Sequence, residues 1–273
     1  MTLTNLTDKV TVVTGAGSGI GRATALAFAE RGARIVATDI DPARTEALAA
    51  ELGDRALLVR AFDVANRTQF AAFADAVHAL VPAVDVVVNN AGVAVGGMFL
   101  DTTLDDWDWL LGVNLRGVVH GCHFFAPKMV ARGGDGHIVN ISSIFGIFPA
   151  PQVTAYVASK FAVLGFSQSL RTELAPHRIG VTAICPGMIN TKIIEGGRMS
   201  GAVASRRQKM MATFDRRGSP PSLVATTILD ALRTNPAVRT VGRDAWAMHQ
   251  LTRLAPAVAT RAGAAVAKLF QRG

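Results

Sequence analysis

Tyrosine is nearly missing from this chain. Of 17 aromatic residues, 13 are phenylalanine, three are tryptophan and one is tyrosine, Tyr156, so any chemistry that needs a phenol falls on a single side chain. Cysteine is scarce as well: Cys122 and Cys185 stand far apart without metal-ligand spacing, which argues against a disulfide and fits buried thiols in a reducing compartment. No stretch approaches the ~18 consecutive apolar residues of a membrane-spanning helix. The opening MTLTNLTDKV lacks the basic and apolar regions of a secretion signal, and a cytoplasmic protein is the expectation. Charged residues make up only 18% of the chain against 50% apolar, with a mean hydropathy of +0.31. That balance excludes a disordered chain, which could not bury enough apolar surface to offset its ordering entropy. No linker rich in Pro, Ser or Gly divides the 273 residues, so one domain over 1–273 is expected.

Acidic residues thin out toward the C-terminus. Residues 1–189 carry 14 basic and 16 acidic side chains, whereas residues 190–273 carry 14 basic and 4 acidic, so the net charge of +8 belongs to the last part of the chain. A solvated basic surface is the plain explanation, with acidic substrates, anionic lipid or nucleic acid as the sharper ones. Two stretches lie there. Residues 188–219 combine glycines and charges with a weak apolar pattern, as expected of a substrate flap. Residues 243–273 read as a basic amphipathic tail: Leu251, Leu254, Val258, Ala262, Ala265 and Leu269 share a helical face that Pro256 interrupts. Packing on its own domain or on a second subunit is favoured for the tail over contact with a membrane surface.

The remainder alternates. Apolar β-branched runs predict strands at Lys9–Thr14, Arg34–Thr38, Ala56–Phe62, Val84–Asn89, His137–Ser142, Gly180–Cys185 and Val238–Val241, with helical patterns between them. Gly32 is placed to end the first helix, and Asp41-Pro42 to cap and start the second. Alternating strands and helices imply an α/β fold, a parallel sheet covered by helices on both faces.

The first strand runs into Thr14-Gly15-Ala16-Gly17-Ser18-Gly19-Ile20-Gly21. Glycines let the backbone approach a pyrophosphate there, while the helix that follows aims its unpaired N–H groups and positive dipole end at the phosphate charge. Asp39 ends the second strand, where a carboxylate accepts hydrogen bonds from an adenosine ribose and repels a 2′-phosphate. That favours NAD over NADP, with Arg44 the one nearby cation that a 2′-phosphate could seek. Tyr156 and Lys160 are four apart in a helical pattern and therefore share a face. Ser143 follows the strand at His137, on the carboxyl edge of the sheet where open α/β folds bind ligands. A hydroxyl, a phenol and an ammonium can thus converge. The histidines compete poorly. His120 and His123 flank Cys122, but no further ligands follow at convincing spacing, so no metal site is expected.

TGAGSGIG, the NNAG of Asn89 to Gly92, Asn114, Ser143, the YxxxK of Tyr156 and Lys160, and Pro186-Gly187 together resemble the ordered motifs of a classical short-chain dehydrogenase/reductase over residues 8 to about 242. The resemblance implies a single-domain, Rossmann-type, doubly wound parallel sheet of order 3-2-1-4-5-6-7. It implies catalytic roles for Asn114, Ser143, Tyr156 and Lys160. It also implies cofactor contacts from Gly15, Ser18, Gly19, Ile20, Gly21 and Asp39, from Asp63 and Val64 at adenine, and from Asn90, Ala91 and Gly92 at the adenosine and ribose. Pro186, Gly187, Ile189 and Thr191 would meet the nicotinamide end, and a homo-oligomer, dimer or tetramer, is implied as well.

An unperturbed phenol with a pKa near 10 is only ~0.1% ionised at pH 7, so a phenol base needs a lowered pKa. Lys160 and the positive nicotinamide are expected to supply it. By analogy the substrate pocket is walled by Val95, Phe145 and Met188 with Gln152 as its polar member, together with Val93, Ile144 and Met199. Such a wall suits a lipid-, steroid- or terpenoid-like secondary alcohol or ketone. Two other readings are a 3-oxoacyl thioester reductase, which Asp39 disfavours, and an NAD-binding regulator without turnover, which the complete Ser-Tyr-Lys set disfavours. Nucleic-acid binding would rest on the basic tail alone and is not expected.

Overall fold

The protein's computed structural model describes residues 2–255. Seven strands form the main sheet: β1 (Val10–Thr14), β2 (Arg34–Asp39), β3 (Ala56–Ala61), β4 (Val86–Asn89), β5 (Gly136–Ile141), β6 (Ile179–Pro186) and β7 (Val238–Val241). All neighbours pair in parallel, in the order 3-2-1-4-5-6-7. The strands lie within two residues of the ends that the apolar runs predict. The helices are α1 (Gly19–Ala29), α2 (Pro42–Leu52), α3 (Arg67–Leu80), α4 (Leu104–Leu111), α5 (Gly117–Arg132), α6 (Thr154–Leu174), α7 (Gly201–Ser205), α8 (Arg207–Arg217), α9 (Pro221–Thr234) and α10 (Arg243–Leu254). Asp41 caps α2 by accepting from the N–H groups of Ala43 and Arg44, with Pro42 opening the helix as its composition dictates.

Because successive side chains of a strand point to opposite faces, the sheet feeds two cores. Val13, Val86, Val88, Val139 and Ile184 pack with Phe28 of α1 and Ile228 of α9. Val12, Val87, Ile138 and Val181 pack on the other face with Phe70 and Phe73 of α3, Phe125 of α5 and Val163 of α6. The strand order reverses beside β1, whose neighbours are β2 and β4, and that is where an open parallel sheet leaves a crevice at its carboxyl edge.

The segment 188–219 is more ordered than its apolar pattern suggests. Its ends meet: Asn190 N–H donates to Ser219 O and Ser219 N–H to Met188 O, both at 2.9 Å. Between them a two-residue strand, Arg198–Met199, pairs with Val95–Gly96, and α7 and α8 follow. α8 buries none of its residues fully, and its few apolar residues, Met210, Met211 and Phe214, give the sequence only a weak stripe by which to announce it. α10 ends two residues before Pro256, as the steric restriction ahead of a proline requires. The rest of the proposed amphipathic face, Val258, Ala262, Ala265 and Leu269, lies outside the described residues. Among those described, no helix is long and apolar enough to cross a membrane.

Candidate active site

Steric necessity explains the glycines of the first turn. Gly15 and Gly19 hold φ of +62° and +51°, in the left-handed region, and a Cβ on Gly21 would stand 2.1 Å from the Gly15 carbonyl oxygen. Ser18 takes the N-cap position of α1 in extended conformation without a side-chain cap, so the first-turn N–H groups of the helix stay available to an anion. Ile20 packs its side chain toward the core and contributes only backbone to the turn. Opposite lies a cavity of about 380 Å³ lined by Ser18, Gly19, Asn190, Thr191 and Lys192 among others.

Asp39 faces the same turn. Its Oδ2 accepts from Gly17 N–H at 2.9 Å and its Oδ1 from Asp41 N–H at 3.1 Å. A carboxylate has about four acceptor sites, so two remain for ribose hydroxyls. Arg44, the cation of concern for cofactor choice, is engaged by Asp41 at 3.1 Å. Asp63 and Val64 follow β3 next to this end of β2. Phe62 N–H donates to Asp39 O, Asp63 Oδ1 accepts from Ala65 N–H, and buried Val64 offers its carbonyl to His120 Nδ1 at 2.9 Å. Asn90 does something its motif did not announce: its amide donates to the carbonyls of Thr14 and Gly15, at 2.9 and 3.0 Å, tying β4 to the glycine turn. Thr14 reciprocates, its Oγ1 accepting from the N–H groups of Asn90 and Ala91. Gly92 is open to solvent, and a Cβ there would come within 3.5 Å of Lys160 Nζ.

At the carboxyl edge of β5 the proposed catalytic groups do converge. Ser143 is buried, and its Oγ accepts from Phe145 N–H at 3.1 Å. Tyr156 and Lys160 stand one turn apart on α6, with Nζ 5.6 Å from the phenol ring centre and donating to Ile141 O at 3.0 Å. Ser142, a residue no motif singles out, fixes this turn of α6 by donating to Lys160 O at 2.8 Å. Asn114 lies in a π-helical turn, Gly112–Arg116, between α4 and α5, a distortion common at functional sites. Its amide is fully engaged: Oδ1 accepts from Val93 N–H, and Nδ2 donates to Val93 O and Ser159 Oγ.

In the protein alone, burial dominates the electrostatics of this pair. Burial pushes the Tyr156 phenol up to about 12, against a smaller pull downward by the Ser143 hydrogen bond. Burial also pushes the Lys160 ammonium down to about 8, with Cys185 acting weakly the other way. The protein's own groups therefore do not lower the phenol, because desolvation outweighs the pull of Ser143.

Of the expected pocket residues, Phe145, Val93 and Val95 lie against this centre. Phe145 meets the Tyr156 ring edge-on at 6.3 Å, and Val95 packs in one apolar cluster with Tyr156, Leu110 and Ala155. Gln152 precedes α6 with φ +65°, an uncommon conformation for a residue with a side chain, and accepts from Gly97 N–H at 2.7 Å. Met188 N–H donates to Asp244 of α10 at 3.1 Å. Pro186 ends β6, and Gly187 has Asp244 so close that a Cβ would stand 2.3 Å from its carboxylate. Ile189 is buried, and the Thr191 side chain lies against Gly19 at the wall of the cavity. Among the described residues no three His, Cys, Asp or Glu side chains gather as a metal site would require.

A turn whose tightest positions admit only glycine, a helix end with free N–H groups, a cavity beside it and a carboxylate with two spare acceptor sites fit a dinucleotide. Comparison with known proteins agrees with that fit. The short chain dehydrogenase family model matches residues 9–198. SadH of Mycobacterium tuberculosis, named an oxidoreductase, is 40% identical over 276 residues, covering 98% of this chain and 99% of SadH. EphD of the same species, also named an oxidoreductase, is 41% identical over 257 residues, covering 91% of this chain; the chain spans only 43% of EphD's length. A solved short chain dehydrogenase/reductase from Burkholderia phymatum, in complex with NAD, superposes with a TM-score of 0.86 at 29% identity, covering 92% of this chain and 95% of that one. Sheet order, site geometry and these matches lead to one conclusion: the chain belongs to the short-chain dehydrogenase/reductase family, whose members are oxidoreductases that typically use NAD(P).

Proposed function

We propose that the protein interconverts a secondary alcohol and a ketone on a bulky apolar substrate, with NAD preferred over NADP. One observation carries this reading: Ser143 and Tyr156 are brought together at the sheet edge beside the glycine turn, with Lys160 Nζ 5.6 Å from the phenol ring. Bound NAD would supply the hydride acceptor and a fixed positive charge. With its own proton first lost to solvent under that positive charge, Tyr156 as phenolate takes the proton of the alcohol hydroxyl while that carbon is oxidised, and as phenol it gives a proton back when a ketone is reduced. Ser143 hydrogen-bonds the substrate oxygen and stabilises the charge that develops there. Lys160 has two N–H bonds beyond the one given to Ile141 O, and these suit the hydroxyls of the nicotinamide ribose. With its amide engaged by Val93 and Ser159, Asn114 acts in this reading by holding Val93 in place beside the proton relay.

Asp39 supports the NAD preference, and the apolar surroundings of Tyr156, with Val95, Phe145 and Trp109 close by, support a lipid-, steroid- or terpenoid-like substrate. The protein acts as a homo-oligomer in this reading, in keeping with a family that commonly assembles so. A panel of secondary alcohols, assayed with NAD and NADP in parallel by nicotinamide absorbance, tests it. Oxidation of apolar substrates with NAD is expected, together with loss of turnover but retained NAD binding in Tyr156→Phe. NADP selectivity, or appreciable turnover by Tyr156→Phe, would overturn it.

A further inference from the structure

The flap is pinned to α4 by one side chain. Arg198 spreads its guanidinium over the ring of Trp109, 4.2 Å from the ring centre, while its Nη1 donates to Asp106 Oδ1 at 3.1 Å. Asp106 is a fixed partner, because it also closes the capping box of α4 with Thr103. Beside this contact the backbone of the flap joins the body: Arg198 N–H donates to Ala94 O and Ser200 N–H to Gly96 O, at 2.9 and 2.8 Å. Met199 then lies on Gly96, where a Cβ would come within 2.6 Å of its sulfur.

Two routes lead from this contact to the phenol. Trp109 belongs to the apolar cluster that holds Val95, Leu110, Ala155 and Tyr156. On the far side of the ribbon, Gly97 pairs with Val153 and donates to the carbonyl of Gln152, whose left-handed backbone leads into α6. A residue that stacks on Trp109 therefore bears on the same packing that positions Tyr156, although it stands 42 positions away in sequence.

We infer that Arg198 is a positioning residue: stacked on Trp109 and paired with Asp106, it seats the flap against the apolar cluster that walls the proposed substrate site. This rests on the proposed action of Tyr156 on an apolar substrate. The guanidinium suits the task because its planar fork can stack and pair at once, which an ammonium cannot do. Its side chain is 48% exposed, so the ion pair contributes little to folding stability and its removal leaves the fold intact.

Arg198→Ala, Arg198→Lys and Trp109→Phe test the inference through substrate KM and kcat, NAD affinity, melting temperature and tryptophan emission. Arg198→Ala should raise KM for the best panel alcohol about tenfold, with kcat and NAD affinity within about threefold and melting little changed. Arg198→Lys should recover only part of that loss, and Trp109→Phe should reproduce it. The emission change caused by Arg198→Ala should vanish in the Trp109→Phe background, a readout that needs no turnover. Unchanged KM and emission, a lysine variant equal to the parent, or a parallel fall in every parameter would overturn the inference. Absence of turnover in the parent itself would instead refute the proposed function, and emission alone would then decide whether Arg198 stacks on Trp109.

Discussion

The titration order of Tyr156 and Lys160 makes a sharp prediction. Burial holds the phenol at about 12 and the ammonium at about 8, so as pH rises Lys160 loses its proton first. A charged lysine 5.6 Å from the ring would favour phenolate by about 3 kcal/mol at an effective dielectric near 20, or about 2 pKa units. Because the ammonium is already neutral when the phenol ionises, that help is absent in the protein alone. Lys160→Met should therefore leave the phenol midpoint unchanged. With one tyrosine in the chain, the 13C resonance of labelled Tyr156 reports it without overlap. At pH 10 an ordinary phenol is half ionised, whereas Tyr156 should be only ~1% ionised in parent and variant alike. Addition of NAD should move the midpoint down. Stability supplies a second readout. The depressed pKa of Lys160 contributes stability that is present above about 10.5 and lost as pH falls through 8, by about 3 kcal/mol. Lys160→Met should abolish that slope. A phenol half ionised at or below pH 10 in the free protein, or a midpoint that rises by two units in Lys160→Met, would refute the reasoning.

Three further outcomes follow from named contacts. Asp39→Ala should lower kcat/KM with NAD about 100-fold and narrow the gap to NADP, since charge-assisted bonds to the ribose and to Gly17 N–H go together; parallel kinetics with both cofactors check it. Asn114→Ala strands Val93 N–H and Val93 O and removes a donor from Ser159 Oγ, and should cost ~2–4 kcal/mol in urea unfolding along with most turnover. Burial and then Arg171 push His137 down to about 3, so it contributes stability above about 6.5 that is lost as pH falls through 3. His137→Gln should flatten thermal melts across that window, and an unchanged pH dependence would exclude the assignment.

Local chemistry made much of this protein legible in its sequence. Unbroken β-branched runs mark strands buried on both faces, a glycine turn between strand and helix marks an anion site, and a four-residue spacing puts Tyr156 and Lys160 on one face of α6. Each depends on neighbours within a few positions and so survives without knowledge of packing. The tertiary structure alone decided the rest. Asn90 spends its amide on the glycine turn and Asn114 on Val93, because carbonyls distant in sequence come within hydrogen-bond reach only when β1, β4 and the π-turn are packed together. α8 buries none of its residues fully and carries only a weak apolar pattern, and Arg198 finds Trp109 across 89 positions. The phenol is the clearest case. Its presence and its lysine partner could be read from spacing, but the direction of its pKa depends on how much water the fold removes, and desolvation is a property of the assembled site rather than of any segment.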